Sequence, residues 1–178
     1  MAAPAISVCG ASRIIDDTIT EIARAVGAGI MRAGCTLVCG GRDGVMEAAC
    51  RGAAEARAAG ATGGLIVGIL PGDRKQDANP WCDVVIPTGL GYARNSIVVL
   101  AGDVTILIGG GSGTLSEAAY AWQFGKPVVA VVPSGGWAAA LAGQTLDDRR
   151  GDWIIAATSA DEAVARAVEL AWGHVPGQ

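Results

Sequence analysis

With 178 residues and 17.8 kDa, the chain has room for one domain with its own core, read as spanning residues 1–178. A net charge of -4 with no basic run excludes the electrostatic footprint of a nucleic-acid binder. Mean hydropathy is high at +0.41, yet no apolar run is long enough to span a bilayer, and "MAAPAISVCG" lacks a basic segment ahead of an apolar one. These features predict a cytoplasmic protein that engages neither membrane nor nucleic acid. Five scattered cysteines, none in CxxC spacing, argue against a zinc site and a disulfide framework, so no metal is expected. The surplus of apolar and small residues points to an oligomer interface.

Short apolar runs alternate with helical patterns along the chain, the signature of a parallel sheet with crossover helices. "AISVC" (Ala5–Cys9) reads as the first strand. In the helix that follows, Ile19, Ile22, Ala23, Val26 and Ile30 share one face, Thr18 and Glu21 are placed to form a capping box, and Gly34 is placed to end it. "CTLVC" (Cys35–Cys39) is the second strand, followed by a glycine turn and a helix up to Gly60. "LIVGIL" (Leu65–Leu70) is the third, Asp73–Pro80 a loop, and "DVVIP" (Asp83–Pro87) the fourth. "GYARNSIVVLAG" predicts a short helix. "VTILI" (Val104–Ile108) is the fifth strand, leading through "GGGSGT" to a helix with Leu115, Ala118, Ala119 and Trp122 on one face. "PVVAVV" (Pro127–Val132) is the sixth strand and Ile154–Ala156 a possible seventh. A last helix starts at Ser159, with Glu162 completing a capping box. The pattern predicts a doubly wound, Rossmann-like α/β fold with a mostly parallel sheet of six or seven strands, whose ligands bind at the carboxyl ends of the strands.

Three strand ends carry unusual residues: "CGASR" with Gly10, Ser12 and Arg13; "CGGRDG" with Gly40, Gly41 and Arg42; and "IGGGSGT" with Gly110, Gly111, Ser112, Gly113 and Thr114. A glycine turn opening a helix is a ready anion site, because its free N–H groups carry the positive end of the helix dipole and no Cβ blocks their approach. Hydroxyls and arginines would add hydrogen bonds and charge. The same turns also serve as plain strand-to-helix connections. The first turn lacks GxGxxG and no segment matches GxxxxGK[ST], so neither a dinucleotide fingerprint nor a P-loop is present.

Two charged residues stand out. Thr114-Leu115-Ser116-Glu117 reads as a capping box, or else Glu117 stands beside an anion held by the same turn. Arg94 falls on one helix face with Ile97, Val98 and Ala101, where a guanidinium needs an anionic partner unless it snorkels at the helix end. Asn95 is a second polar contact or is exposed. The sole histidine, His174, lies near the end of the chain, which disfavours Ser-His and Cys-His catalysis, and neither Lys75 nor Lys126 looks like a buried Schiff-base lysine. Asp147, Asp148, Arg149 and Arg150 read as a solvated turn, and Trp122 and Trp172 as core.

"GGGSGTLSE" (Gly109–Glu117) resembles the PGGxGTxxE motif of the LONELY GUY-type proteins, often misannotated as lysine decarboxylases. "GGRDGVMEAACRGA", "VGILPG" and "IPTGLGYARNSI" add a closer resemblance to the molybdenum-cofactor carrier proteins, and the similarity covers nearly the whole chain. The first resemblance implies hydrolysis of the N-glycosidic bond of nucleoside 5′-monophosphates, with Arg94 and Glu117 catalytic. Two departures oppose it: Gly109 replaces the motif's opening proline, and Asn95 replaces a lysine that follows the arginine. The second implies a site that holds the phosphate of a pterin without breaking a bond, with the molybdenum cofactor as cargo and no other cofactor required. Both imply a homo-oligomer, a dimer or a dimer of dimers. The expectation is therefore a phosphate-anchored binder of a nucleotide or pterin, with a phosphoribohydrolase as the alternative and a pyridoxal-dependent decarboxylase excluded.

Overall fold

A computed structural model of the chain describes residues 3–13 and 16–173; His174 lies outside them. Seven strands form one sheet: β1 (Ala5–Gly10), β2 (Thr36–Cys39), β3 (Ile66–Leu70), β4 (Val84–Pro87), β5 (Val104–Ile108), β6 (Val128–Val131) and β7 (Ile155–Ala157). Their spatial order is β4-β3-β2-β1-β5-β6-β7, and every neighbouring pair is parallel. Among the described residues six α-helices accompany them: α1 (Asp17–Arg32), α2 (Val45–Ala58), α3 (Asn95–Ala101), α4 (Ser112–Gln123), α5 (Gly136–Leu141) and α6 (Ala160–Gly173). No helix among the described residues is long and apolar enough to cross a membrane.

The period of two along each strand divides the core into two layers. Ile6, Val8, Leu37, Cys39, Ile66 and Ile106 face α1, α2 and α6, whereas Cys9, Val38, Ile69 and Leu107 face α3, α4 and α5. Helices on both faces of a parallel sheet make the fold doubly wound. The chain winds outward from β1 to β4 and then returns to β5 on the other side of β1. The direction of winding thus reverses between β1 and β5, where Gly10 pairs in register with Ile108. Loops leaving those two strands diverge and open a crevice at their carboxyl ends.

Several local expectations need correction. Asp16, not Thr18, caps α1: its side chain accepts from the Thr18 N–H at 2.7 Å. β7 lies one residue later than expected, and the short α5 opens on its cap Gly135 and its first residue Gly136, whose φ values of +68° and +55° disguise a helix start as a turn. Ser159 does accept from the Glu162 N–H, but the Glu162 carboxylate reaches Thr158 instead of the cap residue. Trp172 is 45% exposed, so only Trp122 is core. Nor is 147–150 a purely solvated turn. Asp147 accepts from Trp122 Nε1 at 2.7 Å, while Arg150 stacks 4.6 Å above the Trp122 ring and donates to the Lys126 carbonyl.

Candidate functional site

The glycine turn after β5 is shaped by φ. Gly109 and Gly110 have φ of +55° and +97°, which residues with a Cβ rarely adopt, and a Cβ on Gly110 would sit 2.3 Å from Thr114 Oγ1. Buried Ser134 pins the turn, accepting from the Gly109 N–H at 2.7 Å. α4 then begins at Ser112, with exposed Gly111 as its cap residue and no side-chain cap. The first N–H groups of α4 therefore receive no side-chain cap.

That start overturns the capping-box reading of Glu117. Thr114 is the third residue of the helix rather than its cap, and its hydroxyl, buried, has no hydrogen-bond partner. The buried face of α4 comprises Thr114, Glu117, Ala118, Ala121 and Trp122, with Leu115 and Ala119 only half-buried. Glu117 consequently points into the sheet beside Cys9 and Arg94. Burial pushes its carboxyl up to about 7, against the opposing pull of the Arg94 guanidinium and the Cys9 thiol. Burial likewise drives the Cys9 thiol well above its usual range, and Glu117 adds to the rise.

Arg94 closes a 3-10 turn (Gly91–Arg94) that runs directly into α3, and it is 7% exposed. Its expected face is partly right: Val98 is buried with it, whereas Ala101 is exposed. Nη1 lies 3.7 Å from Glu117 Oε1 and donates to Asn95 Oδ1 at 2.8 Å. Nη2 reaches the Gly40 carbonyl at 3.5 Å, and a Cβ on Gly40 would stand 2.5 Å from Nη2. Glycine at 40 is thus what seats the guanidinium. Asn95, buried at 4%, spends its amide donors on Ser116 Oγ at 2.9 Å and the Gly113 carbonyl at 3.4 Å. It ties α3 to the first turn of α4 and brings no charge. Arg94 Nε, also buried, lacks a partner.

The structure therefore brings together Arg94, Asn95, Glu117, Gly40 and the Gly110–Thr114 turn at the β1/β5 switch point. Gly41, with φ of +71°, completes the neighbouring turn, but the side chain of Arg42 is exposed and only its carbonyl is engaged, by Asn79. Gly10 fits between Val45 and Ile108, where a Cβ would clash at 2.5 Å, so its need is steric. Ser12 and Arg13 are exposed and line a separate cleft of about 430 Å³ with Gly44, Glu47 and Arg51. Sequence reading missed Cys9, Ser134 and Ser116. A cysteine inside an apolar strand and a serine inside a turn carry no local signal of what they face.

Fold and site together define a doubly wound α/β protein with a glycine turn and a buried Arg94–Glu117 pair at its topological switch point. The chain belongs to the SLOG cluster4 family, whose model matches residues 3–164. The molybdenum cofactor binding protein of Rippkaea orientalis superposes with a TM-score of 0.80 at 34% identity, covering 96% of this chain and 98% of that one. The molybdenum cofactor carrier protein of Chlamydomonas reinhardtii gives a TM-score of 0.81 at 32% identity, covering 95% and 98%. A cytokinin riboside 5′-monophosphate phosphoribohydrolase of Mycobacterium tuberculosis is 38% identical over 125 residues, 66% of this chain and 64% of that protein.

Proposed function

We propose that the β1/β5 crevice binds a small molecule through its phosphate and that the protein is a carrier of a phosphorylated pterin, the molybdenum cofactor. The Gly110–Thr114 turn would receive the phosphate on the free N–H groups of α4, and Arg94 would supply the positive charge. Arg94 Nε and Thr114 Oγ1 are buried donors without acceptors beside this turn. The names of the Rippkaea and Chlamydomonas proteins, similar over nearly their whole length, supply the ligand class.

The observation that carries a binding role over hydrolysis is Asn95. Its amide is consumed in holding Arg94 and α4, so the position offers neither a charge nor a free proton donor to a departing base. Hydrolysis is the second reading, favoured by one observation: a buried Glu117 with its carboxyl raised to about 7 is the kind of group that performs acid–base work at neutral pH. The Mycobacterium tuberculosis relative points the same way.

The deciding experiment incubates the protein and Glu117→Ala with a panel of nucleoside 5′-monophosphates and follows free base by chromatography. Thermal shift on the same samples reports binding. The carrier reading expects no base, together with retention of the molybdenum cofactor's pterin through gel filtration. Base release that disappears in Glu117→Ala would replace it with a phosphoribohydrolase. The homo-oligomer belongs to the same proposal: Leu90, Tyr92 and Leu100 in and beside α3 are 52%, 88% and 51% exposed, apolar surface that self-association would cover, as light scattering would register.

A further inference from the structure

Three of the five cysteines, distant in sequence, meet on the α2 face of the sheet. Cys39 ends β2 and Cys50 lies in α2, with their sulfurs 3.4 Å apart and both side chains fully buried. Cys82, in the loop before β4, is partly exposed, packs against the same core cluster as Cys39 and Cys50, and donates its thiol to Asn79 Oδ1 at 3.6 Å. Space for it is made by Gly68 on β3, where a Cβ would stand 2.7 Å from the Cys82 sulfur.

The loop carrying Cys82 is held from both ends. Asn79 donates its N–H to the Gly41 carbonyl at 2.8 Å and its side-chain amide to the Arg42 carbonyl at 3.1 Å. Asp83 is gripped by both terminal nitrogens of Arg57 at 2.6 and 2.7 Å and accepts from the Ile66 N–H. The contact with Cys39, together with burial, holds the Cys50 thiol above its ordinary range, and Cys82 is the one of the three that solvent reaches.

We propose that Cys39, Cys50 and Cys82 form a thiol–disulfide site that a hydroperoxide oxidises through Cys82. The Cys82 thiolate attacks the hydroperoxide, forming an S–O bond as the O–O bond breaks, and an alcohol or water leaves. A neighbouring buried thiol attacks the resulting sulfenic acid, forming an S–S bond, and its proton leaves with the displaced oxygen as water. Exchange with the third thiol moves the bond to the Cys39–Cys50 pair and restores Cys82 as a thiol. Two thiols are oxidised and one peroxide is reduced.

Cys39 is also the residue before the turn that seats Arg94. Its sulfur accepts from the Gly41 N–H at 3.3 Å, and the next carbonyl, of Gly40, is the one Arg94 reaches. Closing the sulfurs from 3.4 Å to about 2.0 Å would pull on that turn. Oxidation would therefore weaken the phosphate crevice, a consequence that rests on the function proposed above.

The test treats the reduced protein with stoichiometric hydrogen peroxide, blocks remaining thiols under denaturing conditions, and maps tryptic peptides by mass. Cys39, Cys50 and Cys82 fall on separate peptides, and fragmentation of the peptide 33–42, which carries both Cys35 and Cys39, tells which of those two is linked. The expected product links the Cys39 and Cys50 peptides, with Cys9 and Cys35 still alkylated. In Cys82→Ser, and equally in Cys82→Ala, disulfide formation should slow by about tenfold or more, since only buried thiols remain. A wild-type rate in both variants would overturn the relay, as would over-oxidised Cys82 with Cys39 and Cys50 reduced, or linkage through Cys9 or Cys35. A second arm measures stabilisation by adenosine 5′-monophosphate before and after oxidation. The peptide map does not depend on that ligand, so a failed crevice reading and a failed thiol site give different results.

Discussion

The Arg94 guanidinium and the Glu117 carboxylate are buried together, 7% and 6% exposed, yet their nearest atoms are 3.7 Å apart, and the guanidinium's short hydrogen bond goes to Asn95 instead. Neither charge is fully answered by the other.

Glu117 makes stability depend on pH. Below its ordinary value of 4.5 the carboxyl is neutral in both folded and unfolded chains. Between 4.5 and about 7 the unfolded chain ionises while the buried group stays neutral, and above about 7 both are charged. The stability present at low pH is thus lost as pH rises through about 7, up to about 3 kcal/mol. Glu117→Gln removes the titration. Melting temperatures of wild type relative to Glu117→Gln should fall from pH 4.5 to about 7 and then level off; parallel curves would show that the carboxyl is not desolvated.

Arg94→Met keeps the side chain's length and removes its charge. Loss of a charge-assisted hydrogen bond to a phosphate, about 1.5–3 kcal/mol, predicts a loss in affinity of about 10- to 100-fold by isothermal titration. Glu117 would lose its neighbouring cation, so its titration should move further up. Affinity within about twofold of wild type would take Arg94 out of the site.

Gly40→Ala and Gly111→Ala separate seating from backbone access. A Cβ at Gly40 meets Arg94 and the Met46 sulfur at 2.5 and 2.6 Å, whereas one at Gly111 meets nothing. Gly40→Ala should cost about 1–3 kcal/mol of stability in denaturant titration and weaken ligand binding by displacing Arg94. Gly111→Ala should leave stability within about 0.5 kcal/mol. Its affinity should fall only if the ligand approaches the cap residue of α4.

Ser134→Ala removes the acceptor of the buried Gly109 N–H and the donor to the Val131 carbonyl. Leaving both unanswered should cost about 1–3 kcal/mol, and hydrogen exchange should quicken at Gly109 and Gly110. Unchanged protection would mean that the glycine turn holds its shape without the serine.

Local chemistry by itself determined the alternation of strands and helices, the doubly wound class and the three glycine turns, because strand period, helix period and positive φ are properties of a few consecutive residues. It also singled out Arg94, a charge on an apolar stripe. Only the tertiary structure decided what Glu117 is. Read locally it closes a capping box; in the fold α4 starts earlier, and burial raises its carboxyl to about 7. The same holds for Asn95, which the sequence left between contact and exposure and which packing turned into a strut, and for three cysteines that only the order of β2, β3 and β4 assembles. Desolvation and through-space hydrogen bonds depend on neighbours far along the chain, and no window of sequence contains them.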